Sequence, residues 1–162
     1  MTATAPVSLD NDLMFLLSWA SHALATEQTA GLSGLGITPR AYCVLVKAMA
    51  ADTTQTQLAQ LCGLDKTTMV ATMDELERLQ LAERRPSATD RRVRIIAVTP
   101  KGRRLVAKAA DIVSQIQDDV LSALPVENRR ILMDSLAQLV DGRLASLVPC
   151  ERAPRRRERR LA

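Results

Sequence analysis

Five arginines, Arg84, Arg85, Arg91, Arg92 and Arg94, crowd around the polar, turn-rich segment Pro86-Ser-Ala-Thr-Asp-Arg91. Like charges on one short turn repel, and a merely solvated turn is expected to mix its signs. The cluster therefore makes sense where a polyanion offsets the repulsion, and guanidinium groups gain most in a narrow, strongly negative minor groove. A second set lies upstream. Lys66, Thr67 and Thr68 open a helical pattern, where free backbone N–H groups and the positive end of the helix dipole favour phosphate. Val70, Ala71 and Asp74 share the outer face of that helix, and Met69, Met73, Leu76 and Leu79 form its core-facing side. Short hydroxyls can meet base edges, and Val70 or the Ala71 methyl can touch a thymine methyl. Taken alone, this helix reads equally well as an ordinary amphipathic one; the arginine cluster tips the balance towards duplex DNA.

Other chemistries find no residues. There is one histidine, His22, and three cysteines, Cys43, Cys62 and Cys150, without C-x-x-C spacing. Neither a disulfide framework nor a Cys/His zinc site is expected, and no metal, cofactor or catalytic residue is assigned. Cys43 and Cys62 read as small apolar side chains. No phosphate-cradling glycine loop or nucleophile motif suggests an enzyme. Aromatic residues make up 2 % of the chain, Phe15, Trp19 and Tyr42, too few for the stacking platforms of single-strand binders. Trp19, His22, Tyr42 and Cys43 could line a small cavity between the first two helices, although packing explains them as well.

The elements that must carry these residues follow from periodicity. Asp10 is placed to cap a first helix with Leu13, Leu16, Leu17, Ala20 and Leu24 on one stripe. The Gly31–Gly36 stretch ends it, and Thr38-Pro39 starts a second helix reaching about Ala51. Helical patterns over Thr54–Leu61 and Lys66–Gln80 flank a turn at Gly63, with Asp65 as the second cap. Strand candidates Leu81–Arg85 and Arg92–Val98 then form a hairpin with an exposed tip. Thr99-Pro100 starts a long fifth helix that ends before Pro125, and a sixth spans about Val126–Leu147. The fold expected is mainly α with a small β-hairpin wing, a winged helix-turn-helix with N- and C-terminal dimerisation helices. Its second helix suits a major groove, and its wing suits the adjacent backbone or minor groove.

Four stretches, Leu58-Ala-Gln-Leu-Cys-Gly-Leu-Asp-Lys-Thr-Thr-Met69, Leu76-Glu-Arg-Leu-Gln-Leu-Ala-Glu-Arg-Arg85, Thr89-Asp-Arg-Arg92 and Val98-Thr-Pro-Lys-Gly-Arg103, give residues 10–147 a pattern that resembles the MarR family of bacterial transcriptional regulators. The resemblance implies a dimer interlocked through the first, fifth and sixth helices. It also implies that Asp90 holds the wing, that Arg92 enters the minor groove and that Thr67 and Thr68 lie in the recognition turn. A repressor role follows from it, as does a small aromatic or phenolic effector near Trp19, His22 and Tyr42. The reactive first-helix cysteine of peroxide-sensing relatives is missing. Ala71 stands where family members often carry arginine, and Gln80 replaces a usual glycine.

Charge supports this division of labour. Residues 78–104 carry nine basic and two acidic side chains, whereas residues 1–77 carry three and eight. Expected boundaries are a loose arm at 1–9, dimerisation helices at 10–37 and 100–148, the DNA-binding region at 38–99 and a basic, disordered tail at 149–162. Apolar stripes on the first, fifth and sixth helices need a surface that a symmetric partner would supply. A homodimer would read a pseudo-palindromic duplex with half-sites about 10 bp apart. No apolar run approaches the ~20 residues of a membrane span, and no signal-like segment opens the chain, so a cytoplasmic, nucleoid-associated location is expected. The competing reading is a winged-helix protein-interaction module that does not bind DNA.

Overall fold

The computed structural model describes residues 8–145, which fall into two compact units, one ending at Asp119 and one beginning at Val120. Helix α1 (Leu13–Leu32) is capped by Asp12, whose carboxylate accepts from the Phe15 N–H at 2.7 Å. The expected cap, Asp10, lies outside because a turn closed by Asp12 N–H on the Leu9 carbonyl brings Asp12 to the helix mouth. Gly31 does not end the helix. A Cβ there would lie 3.0 Å from both Ile112 and Ile116, so the glycine permits close approach. A 3-10 turn (Ser33–Leu35) and left-handed Gly36 then lead to α2 (Pro39–Ala50), capped by the Thr38 hydroxyl.

Thr53 and Thr54 form a short strand, β1, that the sequence pattern did not reveal, since two residues have no period. Thr54 also caps α3 (Gln55–Leu61) in a reciprocal box with Gln57. The turn after α3 closes through Leu64 N–H on the Ala59 carbonyl, with Gly63 left-handed. Helix α4 (Lys66–Arg78) follows, capped by Asp65 as expected. Strands β2 (Ala82–Pro86) and β3 (Arg94–Val98) complete an antiparallel sheet in the order β1-β3-β2. Both hairpin strands begin later than the pattern suggested. Leu81 N–H is drawn back to the Leu76 carbonyl, and Arg92 N–H is drawn into the wing turn by Asp90.

The core gathers Leu32, Val44, Leu45, Leu58, Met69, Met73, Leu76, Leu81 and Ile96. Three of the four α4 residues expected to face it, Met69, Met73 and Leu76, are fully buried, and Leu79 packs at its margin. Helix α5 (Pro100–Ser122) adds Gly102, Val106 and Ala109. By contrast, α1 leaves Leu13, Met14, Phe15, Leu16 and Trp19 exposed, Met14 to 74 %.

In the second unit, α6 (Val126–Asp141) buries none of its residues, and Val126, Ile131 and Val140 are largely exposed. Arg129 donates to the carbonyls of Ser122 and Leu124, satisfying acceptors that a helix end leaves open. The helix stops at Asp141 because Gly142 takes a non-helical conformation. The predicted arm, but for Ser8 and Leu9, and the predicted tail with Cys150 lie outside the described residues. Among those described, no helix is long and apolar enough to cross a membrane, and no group of three or more His, Cys, Asp or Glu side chains could hold a metal.

Candidate nucleic-acid interface

Two polar surfaces are fixed to one frame. At the start of α4, Asp65 accepts from the Thr68 N–H at 2.9 Å and from the Thr68 hydroxyl at 2.6 Å. These bonds stabilise the carboxylate and hold its pKa below the ordinary range. Thr68 is half-buried and donates its hydroxyl proton to the exposed Asp65 carboxylate, which makes it part of the helix cap. Lys66, Thr67, Val70 and Ala71 remain exposed on the outer face. A shallow groove of about 360 Å³ runs between this face and the start of α2, bounded by Thr38, Arg40, Thr67, Ala71, Thr72 and Glu75. Arg40 is an exposed cation that sequence reasoning missed. Its only signal was its place one residue after the Thr38-Pro39 helix start.

The wing is built by its own polar side chains. Asp90 accepts from the Arg92 N–H at 2.9 Å, Val93 N–H reaches the Asp90 carbonyl, and Ser87 N–H reaches the Val93 carbonyl. Thr89 is tied to the Ser87 hydroxyl. This closed turn leaves Arg85, Arg91, Arg92 and Arg94 exposed, and none of the four has a salt bridge among the described residues. Four uncompensated guanidinium groups thus lie on the turn (Arg91, Arg92) and on the strand ends that flank it (Arg85, Arg94).

Arg84 is the exception, and its role is corrected. Its guanidinium reaches Asp74 at 2.9 Å, Gln55 at 3.0 Å and Glu77, and its backbone N–H donates to the same Glu77 carboxylate at 3.0 Å. The arginine expected to meet phosphate instead bolts β2 to α3 and α4. Asp74, on the outer face of α4, is neutralised by the same contact. A planar fork with five donors suits such multiple anchoring, which lysine could not reproduce. Thr99 ties down the other end of the wing, donating to the Gln80 carbonyl at 2.8 Å, while Lys101 reaches the Leu79 carbonyl. Gln80 itself is left-handed, with φ of 60°, which explains why a glycine is usual there.

The four residues considered for a small cavity do not converge on one. Along α1, Trp19 stacks on Phe15 and meets His22 at a tilt of 50°, each pair with ring centroids 6.4 Å apart. His22 lines an open depression of about 480 Å³ with Ala25, Thr26, Thr29, Ala30 and Ser33. Tyr42 packs against the core, and the Cys43 thiol faces Cys62.

Residues 35–93 match the model of the MarR family. A MarR-family transcriptional regulator from Rhodococcus sp. RHA1 shares 30% identity, with 82% of this chain and 96% of that chain aligned and a TM-score of 0.73. CouR from Rhodococcus jostii RHA1, solved with p-coumaroyl-CoA, is also 30% identical over 88% of this chain and 99% of that chain, with a TM-score of 0.74. The transcriptional repressor CouR bound to a 23-mer DNA duplex matches at 28% identity, over 86% of this chain and 99% of that chain, with a TM-score of 0.75.

Proposed function

The chain belongs to the MarR family, and on that premise we propose that it is a cytoplasmic, homodimeric regulator that binds duplex DNA in a sequence-specific way and represses transcription. The observation that carries this reading is the set of four unpaired wing arginines held in one frame with the first turn of α4. Uncompensated cations at this density favour a polyphosphate over a protein partner. Lys66 and Thr67 would approach the major groove, with Val70 and Ala71 offering apolar contact to thymine. Arg91 and Arg92 would meet the minor groove or its backbone, flanked by Arg85 and Arg94. Asp90 shapes the turn that presents them. The exposed apolar residues of α1 and of α6 support dimer formation, since a chain alone would leave them in water.

A small aromatic or phenolic effector belongs to the same proposal, because CouR has been solved with p-coumaroyl-CoA. Trp19, His22 and Tyr42 are the first residues to test for it, and Cys43 drops out because its thiol faces Cys62. An effector that binds better to one arrangement of the paired DNA-reading heads shifts DNA affinity by that preference.

Salt dependence tests the reading directly. With about 6–10 phosphate contacts per dimer, log K should fall with log salt at a slope of about −5 to −9. Arg92→Ala should weaken binding and flatten that slope while leaving dimer mass and melting temperature unchanged. Binding insensitive to both salt and Arg92→Ala would overturn the assignment in favour of a protein-docking wing.

A further inference from the structure

A helix that reads base edges by hydrogen bonding needs free donors and acceptors, best of all a planar fork: arginine for guanine, asparagine or glutamine for adenine. Helix α4 offers no such fork. It contains no Asn or Gln, and its single arginine, Arg78, lies in the last turn. There both oxygens of Glu75 hold its guanidinium, at 2.7 and 2.8 Å. The Thr72 hydroxyl donates to the Thr68 carbonyl at 2.8 Å, and the Thr68 hydroxyl is taken by Asp65. Asp74 and Glu77 both accept from Arg84. Lys66 and the Thr67 hydroxyl are what remains of the polar groups, and both belong to the first turn. Beyond them the outer face is hydrocarbon. Thr67, Val70 and Ala71 lie at i, i+3 and i+4 and are all exposed, so their methyl groups adjoin on one strip.

This strip is electrostatically prepared for a polyanion. Arg84 neutralises Asp74 and Arg78 neutralises Glu75, which removes the carboxylates that would repel phosphate beside it. The Arg84 contact also fixes α4 to β2, the strand that leads into the arginine-bearing wing. An apolar strip and a set of unpaired cations thus share one frame. In a major groove, the apolar group that a base edge presents is the C5 methyl of thymine.

On the premise of the duplex binding proposed above, we propose that α4 selects its sites by the C5 methyl group. Val70 and Ala71, with the methyl of Thr67, pack on thymine methyls, while Lys66 holds phosphate. The selection is for the methyl and not for the rest of the base edge, because no free fork of α4 checks the neighbouring O4 of thymine or N4 of cytosine. 5-Methylcytosine carries the same methyl at the same ring position. It therefore takes the place of thymine under this strip, and methylation of a cytosine there raises affinity.

A duplex selected by the full chain from a random pool is resynthesised with deoxyuridine in place of thymine, at one symmetric pair of positions at a time. Only the methyl is lost. Burying one methyl is worth about fourfold in affinity, so two half-sites together should lose about fifteenfold at the sensitive pair. Cytosine at that pair should bind about as weakly as deoxyuridine, and 5-methylcytosine should recover at least fivefold over cytosine. Val70→Ala should discriminate thymine from deoxyuridine less than twofold at one such pair, with an unchanged melting temperature. Deoxyuridine tolerated within twofold at every position by the parent protein overturns methyl reading without any variant having to fold. A base preference that changes with Arg40→Ala and not with Val70→Ala also overturns it, since the reader would then be the arginine that faces the strip across the groove. Equal, salt-sensitive binding to every duplex refutes methyl reading and leaves duplex binding standing. Failure to bind any duplex refutes the proposed function, and methyl reading with it.

Discussion

Gly102 gives a prediction whose sign runs against helix propensity. It is the third residue of α5 and is buried. A Cβ placed on it would lie 2.1 Å from the Leu81 carbonyl oxygen and 2.8 Å from Val98 Cγ1. Carbon and oxygen ordinarily approach no closer than about 3.3 Å, so Gly102→Ala must push α5 and the base of the wing apart by about 1.2 Å. The Leu81 carbonyl also accepts from the Thr99 N–H at 3.0 Å, and the Thr99 hydroxyl accepts from the Gly102 N–H at 3.0 Å. Neither bond survives such a shift intact. Overpacking costs about 1–3 kcal/mol and one lost hydrogen bond about 0.5–1.5 kcal/mol, against a gain of about 0.5–1 kcal/mol from replacing a helical glycine. The net expectation is a destabilisation of about 0.5–4 kcal/mol, which lowers the melting temperature by roughly 1–16 °C for a chain of this length. Circular dichroism on heating, with urea titration alongside, measures it. Gly34→Ala serves as control, because a Cβ there meets nothing within 4 Å. A melting temperature for Gly102→Ala that is unchanged or raised, as in the control, would refute the clamp between α5 and the wing.

Three further outcomes are expected. Arg84→Ala removes the bolt between wing and α4 and leaves Glu77 and Asp74 without their cation, so stability should fall by about 1–3 kcal/mol in urea titration, with DNA affinity lost through a loosened wing. Arg84→Lys should restore little of either, and full rescue would show that charge alone mattered. Asp65 has a lowered folded pKa, so its cap contributes above the unfolded carboxylate pKa of about 3.9 and is lost as pH falls through the lower folded value. Asp65→Ala should therefore be less stable than the parent at pH 7 and converge with it in strong acid, whereas a pH-independent gap would exclude the cap's ionisation as the cause. Gln80→Gly should raise the melting temperature slightly, since relief of a left-handed side-chain residue, about 1–2 kcal/mol, exceeds the added chain entropy of about 0.4–1 kcal/mol; a clear fall would mean that the Gln80 side chain holds the wing entry.

Local signals survived folding where their cause was local. Thr38-Pro39, Asp65 and the Gly63 turn appear as expected, because a cap or a left-handed glycine depends on a few adjacent residues. Strand β1 escaped notice because its two residues form a strand only by pairing with Ile95 and Ile96, about 40 positions away. The choice between Asp10 and Asp12 turned on one backbone bond to Leu9. The arginine cluster was legible as charge, but not which of its members was already engaged.

Residue order alone was enough to specify the helix-turn-helix, the hairpin after it and the surplus of positive charge between them, since caps, periodicity and net charge are short-range or additive properties. It could not divide Arg84 from Arg85, Arg91, Arg92 and Arg94, or bring Cys43 to Cys62. Those outcomes depend on contacts between elements distant along the chain, and packing brings such elements together through the sum of many weak interactions that no local pattern encodes.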